Sequence, residues 1–372
     1  MVQVPNAWKR GQTMTREEFG FSPWFRDQFD LETADDLVAV RVTAVHKGAC
    51  EVSDGEKTRE AKMTGHLRHR AKSKLDYPTV GDWVLVKDFD HEDFGTIQTV
   101  LKRKTELKRK TAGRTIRYQL IAANIDTAFI MQTLGPGYNL QRLERYLVMV
   151  NESGIEPIVL LSKSDLLSGA ALEQVIGEVR ERMPNARVLA FSNTDRNGLE
   201  EVMSLFRPGQ TYCIIGSSGV GKTTLLNNLL GDEDYLFTLP VRDKDGKGLH
   251  STTWRELITL DNGALVVDTP GMRELGQLDV NEGINETFDD ITALAAQCRF
   301  NDCSHVGTLG CAVIAAVESG EIPEARYNNF VRLMKEAAFH DQSVLEKRDQ
   351  DKKLSRFYRS VQGGNRKNKG SY

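Results

Sequence analysis

The run Gly216-Ser217-Ser218-Gly219-Val220-Gly221-Lys222-Thr223-Thr224 narrows the folds open to this chain more than any other stretch. It follows a β-type run, Gln210 to Ile215, and leads into Thr224-Leu225-Leu226-Asn227-Asn228-Leu229-Leu230, which reads as the opening turns of a helix. Strand, glycine-rich turn and helix in that order form the phosphate-cradling loop GxxxxGK[ST]. Its glycines let backbone N–H groups converge on oxyanions, Lys222 adds a point charge for the β- and γ-phosphates, and the Thr223 hydroxyl is placed to ligate Mg²⁺.

The rest of a nucleotide site is present in an unusual order. Downstream, the buried-strand run Ala264-Leu265-Val266-Val267 ends in Asp268-Thr269-Pro270-Gly271. There a carboxylate can hold the water shell of a metal, and a glycine N–H can meet a γ-phosphate. Upstream, Ile158-Val159-Leu160-Leu161 ends in Ser162-Lys163-Ser164-Asp165, a variant of the Asn-Lys-x-Asp element that reads guanine. Asp165 can accept from the guanine N1–H and exocyclic amine, a pair of donors that adenine lacks. A further strand, Ala186 to Phe191, leads to Ser192-Asn193 at the place of a second base-side loop. GTPases commonly run phosphate loop first and base-reading loops last; here the base-reading loops come first. The order implies circular permutation of one domain, which a doubly wound sheet tolerates because its ends can be rejoined and reopened at surface loops.

At 372 residues the chain exceeds the size at which one core usually keeps growing, so more than one domain is expected. Met1 to Arg26 has no apolar core of a signal peptide, and no stretch has the length of a membrane helix, so a cytoplasmic protein is expected. The net charge of −3 conceals acidic stretches, Asp232-Glu233-Asp234 and Asp289-Asp290, set against basic ones.

Several short strands with turn signals, from Leu37–Val45 through Val80–Val86 to Gly95–Leu101, suggest a small oligonucleotide-binding barrel. A basic loop is expected from Lys57 through Lys62, His66, Arg68, His69, Arg70, Lys72 and Lys74, and a basic linker carries Lys102-Arg103-Lys104 and Lys108-Arg109-Lys110. Two such segments suit an RNA backbone. From Asn124 the pattern becomes α/β, and Leu140 to Val150 has apolar residues at helical spacing. Val241 to Thr253, polar and without apolar period, reads as a switch that nucleotide orders.

Cys298, Cys303, His305 and Cys311 form Cys-x4-Cys-x-His-x5-Cys, three thiolates and an imidazole that fill a structural tetrahedral Zn²⁺ shell. Cys50 and Cys213 read as small buried residues. The short helices flanking the cluster, Ile291 to Gln297 and Arg326 to Ala338, are expected to lack a large shared core without the metal. A second basic surface follows Lys347.

This combination resembles the ribosome small subunit-dependent GTPases of the RsgA/YjeQ family over about residues 20 to 340, carried by Gly81-Asp82-Trp83-Val84, Arg145-Tyr146-Leu147, Gly219-Val220-Gly221-Lys222, Asp268-Thr269-Pro270-Gly271, Cys303-Ser304-His305 and Gly310-Cys311-Ala312-Val313. The resemblance implies an N-terminal oligonucleotide-binding (OB) β-barrel, a circularly permuted P-loop α/β GTPase domain and a C-terminal, mostly helical zinc domain. The expected boundaries are an extension at 1–34, barrel 35–115, GTPase domain 116–275, zinc domain 276–345 and basic tail 346–372. It also implies GTP hydrolysis stimulated by the 30S subunit, late maturation of that subunit through 16S rRNA, Mg²⁺ with GTP or GDP, no membrane and a monomer. An RNA-binding assembly protein with an inactive nucleotide domain is the rival reading.

The sequence departs from the family at Ser162, where Asn is usual, and at Asn193, where Ala is usual. Loss of the Asn amide is expected to loosen the tie between base and phosphate loop, and Asn at 162 to tighten GTP. The switch reads Leu249-His250-Ser251-Thr252-Thr253 in place of Arg-His-Thr-Thr-Thr. Met272 cannot orient water, so His250 is expected to place the attacking water near the γ-phosphate, and Thr252 or Thr253, between which the sequence does not choose and of which Thr252 is taken, to supply the second hydroxyl to Mg²⁺.

Overall fold

The computed structural model describes residues 13–29, 36–87, 89, 94–110, 118–231, 255–268, 281–300 and 303–341. The expected switch with His250 and Thr252, the Gly271 loop and the basic tail lie outside the described residues.

Residues 13–29, with the short helix α1 (Pro23–Arg26), fold onto the barrel. Phe19, Phe21 and Phe25 surround the fully buried Trp83, with ring centroids 6.3, 4.7 and 6.0 Å from its own. Aromatic contacts of this kind add to the area that the rings bury. The segment thus supplies part of the core beneath the first domain.

The barrel strands are β1 (Leu37–Val45), β2 (Cys50–Ser53), β3 (Thr58–Met63), β4 (Trp83–Lys87) and β5 (Phe94–Val100). They run in the order β1-β2-β3-β5-β4, and β4 returns to β1 from Leu37↔Lys87 to Arg41↔Trp83, which closes the sheet. Val40, Val42, Val52, Ala61, Val84, Val86 and Ile97 fill the interior, as strand alternation dictates. The stretch expected as one long basic loop contains β3 and a short helix, α2 (Gly65–Arg70), capped by Thr64. Its Arg68, His69 and Arg70 are nevertheless exposed.

The basic linker is less uniform than its charges suggest. Arg103, only 9% exposed, donates to both Asp82 oxygens at 2.7 and 2.8 Å, to Glu106, and to the carbonyls of Leu75 and Tyr77. It is a structural cation. The following strands β6 (Glu106–Lys110) and β7 (Tyr118–Ala123) form a separate two-stranded ribbon that straddles position 115.

The central sheet is built from β8 (Thr127–Thr133), β9 (Glu156–Ser162), β10 (Arg187–Phe191), β11 (Thr211–Gly216), β12 (Glu256–Thr259) and β13 (Leu265–Asp268) in the order β10-β9-β8-β11-β13-β12. All neighbours are parallel except β12, and the near-continuous apolar strands are buried, as strands covered on both faces must be. Helices α3 (Leu140–Glu152), α4 (Gly169–Arg182), α5 (Leu199–Met203) and α6 (Lys222–Leu230) join them. The strand bearing the phosphate loop is thus preceded in the chain by the three strands on one side of it, the connectivity of a permuted domain. Ala44 of β1 pairs with Glu256 of β12, so barrel and central sheet are continuous.

Arg41 pins this junction. It is buried and donates to the carbonyls of Phe19, Gly81 and Asn124 and to Thr211 Oγ1 at 2.8 Å. Burial pulls its pKa down to about 10, against the opposing pull of Asp126 and Asp82.

The C-terminal helices are α7 (Asn281–Thr287), α8 (Asp289–Ala295), α9 (Ala312–Ser319) and α10 (Glu324–Asp341). They pack into one large core that is shared with α3. Ile284, Phe288, Ile291, Val313 and Leu333 belong to one apolar cluster with Leu143, Val148 and Val150 of α3. Buried Glu144 of α3 accepts from Arg326 Nη1 at 2.9 Å, Arg182 at 3.3 Å and Asn329. Arg145 pairs with Glu336.

Candidate nucleotide site and metal centre

The C-terminal ends of parallel strands are where open α/β sheets bind ligands. Here β9 ends in Ser162, β10 in Phe191, β11 in Gly216 and β13 in Asp268, and register pairs Phe191 with Ser162, Ser162 with Thr133, and Gly216 with Met131. Four strand ends separated in sequence therefore line one edge.

The phosphate loop needs its glycines for identifiable reasons. A Cβ on Gly216 would lie 2.3 Å from the Met131 carbonyl oxygen, and Gly221, at φ +95°, would bring one to 2.9 Å from Asn193 Nδ2. Ser217, Ser218 and Gly219 are half-buried and Val220 is buried. Lys222 opens α6 and curls back, its Nζ donating to the carbonyls of Gly216 at 2.9 Å and Ser217 at 2.8 Å. Thr223 is half-buried and Thr224 exposed. Asp268 is half-buried at the end of its strand.

On the base side, Ser162 is fully buried, and its hydroxyl donates to the Val220 carbonyl at 2.7 Å, with the Gln132 carbonyl at 3.3 Å. This hydroxyl ties the end of the base-side strand to the phosphate loop. Lys163 adopts a left-handed conformation (φ 59°), and Asp165 follows in a 3₁₀ turn, exposed. Ser192 is buried and accepts from the N–H groups of Thr194 and Asp195, which fixes the second loop. Asn193 contributes a side-chain bridge that the sequence did not announce. Its Nδ2 donates to the Gly221 carbonyl at 3.3 Å, and its Oδ1 accepts from Asn228 Nδ2 of α6 at 3.1 Å.

Sequence reasoning also missed Arg142. Its Nη1 donates to Ser217 Oγ at 3.4 Å. Nothing in local spacing marks it, because only the parallel pairing of β8 with β11 brings the start of α3 to the loop.

The metal centre assembles as its spacing predicts. The ligand atoms of Cys298, Cys303, His305 and Cys311 lie within 4.8 Å of one another. Cys298 Sγ is 3.6 Å from His305 Nδ1 and 3.8 Å from Cys311 Sγ, and Cys311 Sγ is 3.5 Å from His305 Nδ1. A tetrahedral Zn²⁺, with bonds of about 2.3 Å to sulfur and 2.0–2.1 Å to nitrogen, spaces its ligands by about 3.5–3.8 Å. The donor set therefore fits a metal ion. Burial lowers the His305 pKa, which favours the neutral imidazole that ligates. Cys311 caps α9, where the Ile314 N–H donates to its sulfur at 3.5 Å. Cys50 and Cys213 are buried away from this cluster; burial, followed by the Asp82 charge, lifts Cys50 to about 12, and burial lifts Cys213 further, which leaves both unreactive.

Residues 100–278 match the family model of the RsgA GTPase. The small ribosomal subunit biogenesis GTPase RsgA 2 of Vibrio parahaemolyticus is 37% identical over 356 residues, 96% of this chain and 95% of the relative. The chain belongs to the RsgA family. Another RsgA 2, from Lactiplantibacillus plantarum, is 38% identical over 89% of this chain and 92% of its own. Among solved structures, YjeQ from Thermotoga maritima superposes with a TM-score of 0.60 at 28% identity, covering 81% of this chain and 99% of that one. YloQ, described as a circularly permuted GTPase, reaches 0.58 at 25% identity over 85% and 100%.

Proposed function

We propose that this RsgA-family chain hydrolyses GTP to GDP and phosphate in the biogenesis of the small ribosomal subunit. The observation that carries the reading is the convergence of Ser162, Asp165, Ser192, Asn193, the phosphate loop and Asp268 along one sheet edge. In this reading Asp165 selects guanine, with Lys163 and the Ser192–Asn193 loop framing the base. The N–H groups from Gly216 to Thr224 and the Lys222 ammonium hold the phosphates. Thr223 and Thr252 ligate Mg²⁺, Asp268 holds its water shell, and the Gly271 N–H meets the γ-phosphate. His250 places the attacking water, since GTPase chemistry is mostly placement and charge stabilisation.

Cys298, Cys303, His305 and Cys311 hold a structural Zn²⁺, which supplies cross-linking of the segment between α8 and α9 rather than catalysis. The barrel, through Arg68 and Arg70 on α2, contacts 16S rRNA in the 30S subunit. No helix among the described residues is long and apolar enough to cross a membrane, and a cytoplasmic monomer accords with the reading. The rival, an RNA-binding protein with an inactive nucleotide domain, is disfavoured by the intact bonding around Lys222 and Ser162.

The deciding experiment measures hydrolysis of GTP and of ATP by the full chain, each with and without 30S particles. Hydrolysis of GTP alone, raised by 30S, supports the reading; no turnover under any condition leaves the rival.

A further inference from the structure

Arg142 lies in the first turn of α3 and meets the phosphate loop through one long bond, Nη1 to Ser217 Oγ at 3.4 Å. Among the described residues no carboxylate stands within ion-pair reach of it. The neighbouring charges on the same helix are committed elsewhere, Glu144 to Arg326 and Arg145 to Glu336. A guanidinium carries five donors in a fixed fork, and holding one half-buried without a matching anion is unfavourable.

Ser217 also receives the second cation of the loop, because Lys222 Nζ donates to its carbonyl oxygen at 2.8 Å. The ammonium of such a lysine marks the β/γ end of a bound nucleotide, whereas the N–H groups nearer the helix cradle the α- and β-phosphates. Arg142 therefore approaches the loop at its γ-phosphate end, and it comes from α3, opposite in sequence to the α6 lysine. Two cations meeting at one loop residue are stabilised together by an anion between them.

We propose that Arg142 contacts the terminal phosphate of the bound nucleoside triphosphate, supplied in cis by α3. The assignment rests on the GTPase reading above. A planar fork suits two oxygens of one phosphate, and a charge there favours the triphosphate over the diphosphate.

The test titrates the full chain with fluorescent GTPγS and with fluorescent GDP in Mg²⁺. R142Q and R142M each lose at least fivefold of the GTPγS:GDP affinity ratio, mostly through about tenfold weaker GTPγS binding. A smaller change in that ratio, or equal losses for both nucleotides, overturns the proposal and makes Arg142 a prop for Ser217. K222A run alongside separates the two readings: unaltered affinity for both nucleotides in that variant sinks the phosphate-loop assignment itself, whereas loss in K222A with an unchanged ratio in both Arg142 variants sinks only the role of Arg142.

Discussion

Replacing Ser162 with the asparagine usual in the family is a sensitive test of how this nucleotide site is held, because sequence and structure disagree on the sign. From sequence alone, the amide should restore a tie and tighten GTP. In the structure, Ser162 is 0% exposed and its hydroxyl already bonds the Val220 carbonyl at 2.7 Å. In the loop that follows the adjacent strand, the Asn193 amide occupies the approach to Gly221, the next loop residue. The larger side chain adds heavy atoms to a filled site, a change that costs about 1–3 kcal/mol. Its extra hydrogen bond returns about 0.5–1.5 kcal/mol. Because the crowded contact is with the Val220 carbonyl, the difference falls on the loop geometry that nucleotide needs, and S162N binds GTP more weakly by about 1 kcal/mol, or roughly fivefold where tenfold is about 1.4 kcal/mol. Removing the competing amide should relieve it, so S162N/N193A binds GTP better than the sum of its single changes, each of which weakens binding. Titration with fluorescent GTP across the four proteins of the cycle gives the coupling directly. Tighter binding by S162N in the unmodified background would refute the reasoning.

D165N weakens GTP by about 1–3 kcal/mol, the cost of a donor left unpaired on the base, and narrows the gap to ATP in competition titrations; equal GTP and ATP affinity in the unmodified chain would contradict the base-reading role. Zinc removal by a strong chelator lowers the melting temperature of the whole chain and not just of its C-terminal helices, since those helices share a core with α3; elemental analysis should find one Zn²⁺ per chain beforehand. Burial would raise the Asp290 pKa, but bonding to Arg326 outweighs this and holds it below the ordinary carboxylate range. A depressed folded value adds stability above the unfolded pKa, about 3.9, that is lost as pH falls through the folded one, so D290N flattens the decline of urea stability below about pH 4.

The parts legible in the sequence were those set by local pattern. The phosphate loop, the buried strands leading to Asp165 and Asp268, and the Cys298-to-Cys311 spacing each carry their chemistry within a few residues. What escaped depends on contacts distant along the chain. Arg103 reads as one more basic residue in a charged linker until Asp82, 21 positions away, is found against it. The Phe19, Phe21 and Phe25 rings look like a terminal extension until the barrel is closed and Trp83 turns toward them. The extent of the C-terminal core stayed hidden because it is completed by Leu143, Val148 and Val150 of α3, more than a hundred residues earlier in the chain.

That sharing has a consequence for how the flanking domains act on the nucleotide. Three contacts meet on α3: Arg142 touches the phosphate loop, Glu144 holds Arg326 in the interior, and Arg145 holds Glu336. α10 is therefore fastened to a helix whose first turn lies against Ser217, with no loop between them. On the other side, Arg41 joins the N-terminal segment and the barrel to Thr211, the first residue of the strand that ends in the phosphate loop. Because buried charges deprived of a partner cost several kcal/mol, neither junction can open freely. Both flanking units are thus fastened to the two elements that set the position of the phosphate loop, its strand and its neighbouring helix. A surface that engages the barrel and the C-terminal helices together would load that loop from both directions.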